Sequence, residues 1–315
     1  MVGFVVAAAA VASFAPLATY AISLAAFGMV HVLSEVRYVD ERFRLRLGQG
    51  LVVGVLGLLA VIVGWRAWVA FGGSVGGATP QIELALVLVL ALTALVALRH
   101  AGLGAALIAT AVVVSIAIGA YAAPLTTLVI LAVLHNLTPI GFLAERLRGA
   151  QRRRVLAACV GVFAVVPALI GTGLLSEAWV AIGLSPAEGS FWRIGELHDH
   201  IGVFVPPALQ LTEGAVDLFA AAVFLQVMHY GTVIHVLPRL GADDAGEPAT
   251  AWPGRRPFAI VLGVVAVVSL LGFAFSFTDA RRIYGVFAAF HAWLEVPILL
   301  LALGGGAVLR KRIAA

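Results

Sequence analysis

Gln226-Val-Met-His229-Tyr-Gly-Thr-Val-Ile-His235-Val-Leu-Pro-Arg239 closes an apolar run that starts near Ala208 and is long enough to cross a bilayer. Two imidazoles interrupt it. A group of that polarity is costly inside hydrocarbon, so an intramembrane histidine is read first as functional. Single histidines occur in three other apolar segments, as His31, His135 and His291, and two of them have a carboxylate one helical turn further on, Glu35 and Glu295. The pattern predicts an all-helical polytopic membrane protein with a metal site built between helices.

Composition places the chain in the same class. Of 315 residues, 62% are apolar and 11% charged, and the mean hydropathy is +1.08. A soluble chain of this length would carry amphipathic helices with charged faces, whereas many windows of about 20 residues here hold no charge. The net charge of +4 does not point to nucleic acid, because the arginines form short clusters between apolar runs, as loops that obey the positive-inside rule do. The single cysteine, Cys159, excludes an intramolecular disulfide and a cysteine-rich metal cluster. No basic segment precedes the first apolar stretch, so a cleaved signal peptide is not expected.

Nine spans are expected, with eight as the alternative count. The first runs from about Phe14 to Val36, after a short apolar segment, with Pro16 in its first turn. The second covers about Leu51 to Phe71, where Arg66 is expected to snorkel outward between Trp65 and Trp68. The third and fourth, about 82–98 and 103–120, are joined through Arg99 and His100, an interfacial turn. The fifth, about 125–147, holds His135-Asn136-Leu-Thr-Pro139; Pro139 cannot donate to the His135 carbonyl, so a kink is expected at the histidine. The sixth, about 155–175, leads to a polar connection, 176–207, expected outside the membrane with a short interfacial helix around Phe191-Trp192-Arg193 and a solvated His198-Asp-His200. The last three spans cover about 208–236, 258–277 and 284–303. Glu213 and Asp217, at the outer end of the seventh, are expected to face water or an entry path.

An odd number of spans puts the basic clusters Arg37–Arg46, Arg146–Arg154 and Arg310–Arg312 on one side. That side is expected to be cytoplasmic, with the N-terminus outside and the C-terminus inside. Spans one, five, seven and nine then run in parallel, each carrying its histidine between its midpoint and its inner end. His31 and Glu35, like His291 and Glu295, share one helix face, so each carboxylate could ligate a metal itself or accept the second ring N–H of its histidine. His229 and His235 lie about 120° apart on a straight helix, so both face one centre only if Gly231 permits a bend. The candidate ligands are therefore His31, His135, His229 and His291, with His235 ranked after His229. Imidazoles and carboxylates without thiolate suit iron, manganese, copper or zinc. A centre at hydrocarbon depth suits non-haem iron acting with dioxygen on an apolar molecule. Two other readings use the same residues: haem held by His135 and His291 in an electron-transfer protein, and a proton- or metal-coupled transporter.

The order of these motifs resembles the Brp/Blh family of membrane proteins that cleave β-carotene to retinal. His31-Val-Leu-Ser-Glu35 is similar to that family's first motif, His-Gly-x-x-Asp, and His135-Asn136 to its single mid-chain helix histidine. His229 and His235 correspond to its later pair, at a wider spacing, and His291-Ala-Trp-Leu-Glu295 to its last histidine with a following carboxylate. The resemblance implies an iron-dependent dioxygenase in which Glu35 and Glu295 assist catalysis, working on a carotenoid in the cell membrane of a bacterium or archaeon.

Overall fold

The computed structural model describes residues 2–43, 49–98, 102–187, 189, 194–240 and 251–303. His100, Phe191-Trp192-Arg193 and the Arg310–Arg312 cluster lie outside the described residues, as do Arg44, Arg46, Asp243, Asp244 and Glu247. The fold is all-α and polytopic, with no strand among the described residues. Its helices are α1 (Val2–Phe14), α2 (Pro16–Phe43), α3 (Gln49–Ala70), α4 (Thr79–Ala97), α5 (Leu103–Ala122), α6 (Pro124–His135), α7 (Thr138–Arg146), α8 (Gly149–Val160), α9 (Val166–Gly171), α10 (Leu174–Ala181), α11 (His198–Ile201), α12 (Ala215–Gly231), α13 (Leu237–Leu240), α14 (Arg255–Phe275) and α15 (Phe277–Leu303). Among the described residues eight stretches are long and apolar enough to cross a membrane, or nine if α6 and α7 are one broken span.

Proline shapes the interruptions. Helices α6 and α7 meet at 42°, with Pro139 in the first turn of α7. The His135 carbonyl, which the proline cannot serve, accepts a hydrogen bond from the Thr138 hydroxyl at 2.8 Å. Two other prolines are met by π-turns. In Gly161–Val165, before Pro167, the Val166 N–H bonds the Gly161 carbonyl, and in Thr232–Val236, before Pro238, the Leu237 N–H bonds the Thr232 carbonyl. A proline ring clashes with the carbonyl four residues back, and widening the preceding turn by one residue relieves that clash without breaking the helix.

The chain divides into two compact units. The first comprises 1–31, 129–237 and 259–281. Within it α1 packs on α9, α10 and α12, through small residues that allow close approach: Ala8, Ala9 and Ala12 of α1 and Ala220, Ala221 and Ala222 of α12 are all buried. Gly231 belongs to this contact, since a Cβ there would lie 3.2 Å from Phe4 Cε1. Polar bonds fix the ends. Trp179 donates to Ser13 at 3.0 Å, and Ser176 donates to Asp217 at 2.7 Å. Asp217 is thus a helix-to-helix tie that stays partly open to the outside, while Glu213 is exposed. The 176–207 connection carries only the tail of α10 and the single turn α11 as helix among its described residues.

The second unit comprises 32–128, 238–258 and 282–315. Its α4 packs against α3 and α5 around Ala91, Ala94, Ala109 and Val113. Arg66, whose side chain is 38% exposed, also has a partner within the bundle: its Nε donates to Glu83 Oε1 at 2.6 Å. Trp293 donates to the same oxygen at 3.2 Å. The reason is Glu83, which is 4% exposed; a carboxylate buried to that degree needs a cation and N–H donors, and an arginine on the neighbouring helix supplies them. Beyond the apolar part of α2, Arg37 stacks on the Phe258 ring at 4.4 Å and pairs with Glu41.

Candidate metal centre

Three of the expected ligands meet inside the first unit. α2 supplies His31, the last residue of α6 is His135, and α12 supplies His229 in its final turn. The His135 and His229 rings are 4.6 Å apart between centroids, and those of His31 and His229 are 5.2 Å apart and nearly perpendicular. One ring nitrogen of each histidine lies within 4.8 Å of the others. Imidazoles bound to a first-row ion at about 2.0–2.1 Å in tetrahedral geometry place their donor atoms about 3.4 Å apart. Small ring rotations therefore suffice to close the group around an ion.

Burial suits that use. His31 and His229 are 0% exposed, and His135, at the break between α6 and α7, is half-buried. The helix break and the final turn of α12 both follow from nearby proline and glycine, so the local sequence determines where two of the three ligands project. His31 Nδ1 lies 3.3 Å from the Phe27 carbonyl in the preceding turn. A carbonyl only accepts, so Nδ1 is the donor in this contact.

His291 and Glu295, on α15, and Glu35, on α2, belong to the second unit and are 2%, 2% and 1% exposed. Glu35 follows His31 by one turn of the same helix, and Glu295 follows His291 likewise. His235 is outside the group. It is exposed, within the π-turn Thr232–Val236 that follows Gly231, so widening the helix carries it to the surface rather than toward His229.

His200 also departs from expectation, being 4% exposed rather than solvated. Its Nε2 lies 2.7 Å from the Ile194 carbonyl, and Arg281 approaches its Nδ1 at 3.0 Å. The first contact requires Nε2–H, which leaves Nδ1 to accept from the guanidinium; the imidazole is therefore neutral. Burial above all pushes its pKa below the ordinary histidine value, with the smaller effect of the Arg281 charge in the same direction, against the Ile194 bond and the Asp199 charge that favour protonation. It does not join the three-histidine group.

Sequence reading alone missed several supporting residues. Tyr230 stacks on His31, and Gln226 donates to Ser23 at 2.8 Å between buried positions of α12 and α2. Both adjoin His229 along α12, which is the only signal the sequence offered. Glu83 was legible as a lone carboxylate in an apolar helix, the class of residue for which a partner must be sought.

No family model, curated protein or solved structure matches this chain.

Proposed function

We propose that the protein is a membrane-embedded, histidine-ligated metal enzyme: an iron-dependent oxygenase that acts with dioxygen on a lipophilic substrate, with carotenoid cleavage to retinal as the leading reaction. The observation that carries this reading is the convergence of His31, His135 and His229 from three separate helices onto one point. In this reading Glu35 and Glu295 orient imidazoles other than that of His31, whose second ring N–H is taken by the Phe27 carbonyl. Neutral imidazoles without thiolate would suit ferrous iron. The bound iron supplies the redox chemistry that activates dioxygen; the chain holds the ion and excludes water.

Several features favour the oxygenase over its rivals. A third imidazole packed 4.6 Å from His135 suits a bare ion better than a macrocycle with two axial ligands. A relay for transport needs a continuous polar path, whereas His31 and His229 are fully enclosed. The half-buried His135 sits beside Leu134, which is 49% exposed, and that apolar approach suits a molecule arriving sideways from the lipid. The positive-inside rule places the Arg146–Arg154 segment in the cytoplasm.

The test is metal analysis with an optical spectrum of the purified protein, followed by expression in a carotenoid-producing host. Bound iron without a haem band, bleaching of the pigment and release of retinal are expected. Cleavage of one central double bond places both atoms of dioxygen in two aldehydes, so one oxygen molecule is consumed per bond. Iron without bleaching would leave an oxygenase for a different lipid. Absence of any bound metal would overturn the enzyme reading in favour of transport.

A further inference from the structure

His31 is gripped on its face as well as at its edge. The Tyr230 ring lies 4.0 Å from it between centroids, inclined by 23°, a parallel stack closer than most aromatic pairs. His229, the preceding residue of α12, stands nearly edge-on to the same imidazole. Successive helix residues point about 100° apart; one turn of α12 therefore offers His31 a fellow ligand and a flat wall at once. Tyr230 is 5% exposed. One turn earlier, the Gln226–Ser23 bond ties α12 to α2 and fixes the two helices in register.

An imidazole in a helix has two soft torsions, and a metal ligand must hold both. The Phe27 carbonyl restrains His31 from the Nδ1 side. A hydrogen bond at the ring edge acts on one nitrogen and by itself does not set the tilt of the ring plane. A parallel aromatic wall removes that freedom.

We propose that Tyr230 is a positioning residue: by stacking on His31 it holds the Nε2 lone pair toward the metal, while the Phe27 carbonyl fixes which nitrogen ligates. This rests on the metal-centre reading and adds to it the ligating atom and the residue that aims it. The stack needs an aromatic ring, not a phenol, so Tyr230→Phe should substitute and an aliphatic residue should not.

The experiment uses the full chain in detergent, with cobalt(II) as a spectroscopic probe and zinc(II) for nitrogen NMR. Tyr230→Phe should bind cobalt(II) within about threefold of the unaltered protein with the same ligand-field bands. Tyr230→Leu and Tyr230→Met should bind on the order of 10–100-fold more weakly, the usual cost of losing a residue that orients a ligand. Their bands should shift, while the metal-free thermal midpoint stays within a few degrees of the Phe variant. In zinc-loaded protein with labelled histidine, His31 should be metal-bound through Nε2 with Nδ1 protonated.

Failure of the unaltered protein to bind cobalt(II) would sink the metal-centre reading itself. If it binds, and the Leu and Met variants bind equally tightly with unchanged bands, Tyr230 is mere packing and the proposal is overturned. Ligation of His31 through Nδ1 would overturn it too, and that measurement needs no variant, so it decides even if the aliphatic variants do not fold.

Discussion

His200 and His229 are both buried imidazoles of the first unit, 4% and 0% exposed, yet their surroundings differ in kind. His200 has a backbone carbonyl on one nitrogen and a guanidinium on the other, with the Tyr20 and Phe277 rings beside it in tilted and edge contacts. Every polar atom of that ring is accounted for by a fixed structural partner. His229 is surrounded by other rings, those of His31, His135 and Tyr230. Polarity within an apolar protein can serve either end, and the nature of the neighbours separates them: a histidine bonded to backbone and arginine ties segments together, whereas histidines gathered against one another form a donor set for a cation.

The comparison breaks most decisively at His229. Replacing it by alanine should lower metal affinity by at least about a hundredfold, beyond the loss expected for an outer residue. Metal content measured by mass spectrometry after dialysis checks this, alongside a melting curve that should scarcely change without metal. His200→Ala should retain full metal. If the two variants lose metal equally, the distinction between a tie and a donor set collapses.

An intermediate effect is expected from Glu35→Gln, which keeps shape and removes charge. If the carboxylate orients an imidazole, affinity for cobalt(II) should fall on the order of 10–100-fold, with the number of bound nitrogens unchanged. A drop as large as that of His229→Ala would instead make Glu35 a ligand in its own right.

Much of this was readable from the chain. The spans were legible because hydrophobic length is a strong signal and proline and glycine mark breaks: the expected kink at His135 appears as the α6–α7 break. His31, His135 and His229 were legible as lone imidazoles in apolar segments. What the sequence hid was rotational and pairwise. The side of α12 on which His235 emerges depends on a π-turn, a one-residue widening with no periodic signature. The partner of Arg66 depends on which helix lies beside it, and the burial of His200 on Arg281, a residue 81 positions away. Contacts of that separation leave no trace in local hydropathy.

The smallest effect, and the sharpest test of the other half of the comparison, is the pH response of the 194–205 segment. His200 accepts from Arg281 only while neutral, and its folded pKa is lowered from the ordinary 6.5. As the pH falls through that ordinary value the unfolded segment takes up a proton and the folded one does not. Stability contributed by this group is therefore complete above about pH 6.5 and lost as the pH drops below it. Hydrogen exchange of residues 194–205 should accelerate between about pH 7.5 and about pH 5 relative to an unstructured reference peptide, since histidine is the side chain that titrates there. His200→Ala should open the segment at every pH, by about 1–3 kcal/mol for the lost buried hydrogen bonds, and should flatten the pH dependence. An exchange rate that is pH-independent in the unaltered protein would mean that Arg281 and Ile194 do not hold the neutral ring, and His200 would then have to be reconsidered beside the three clustered histidines.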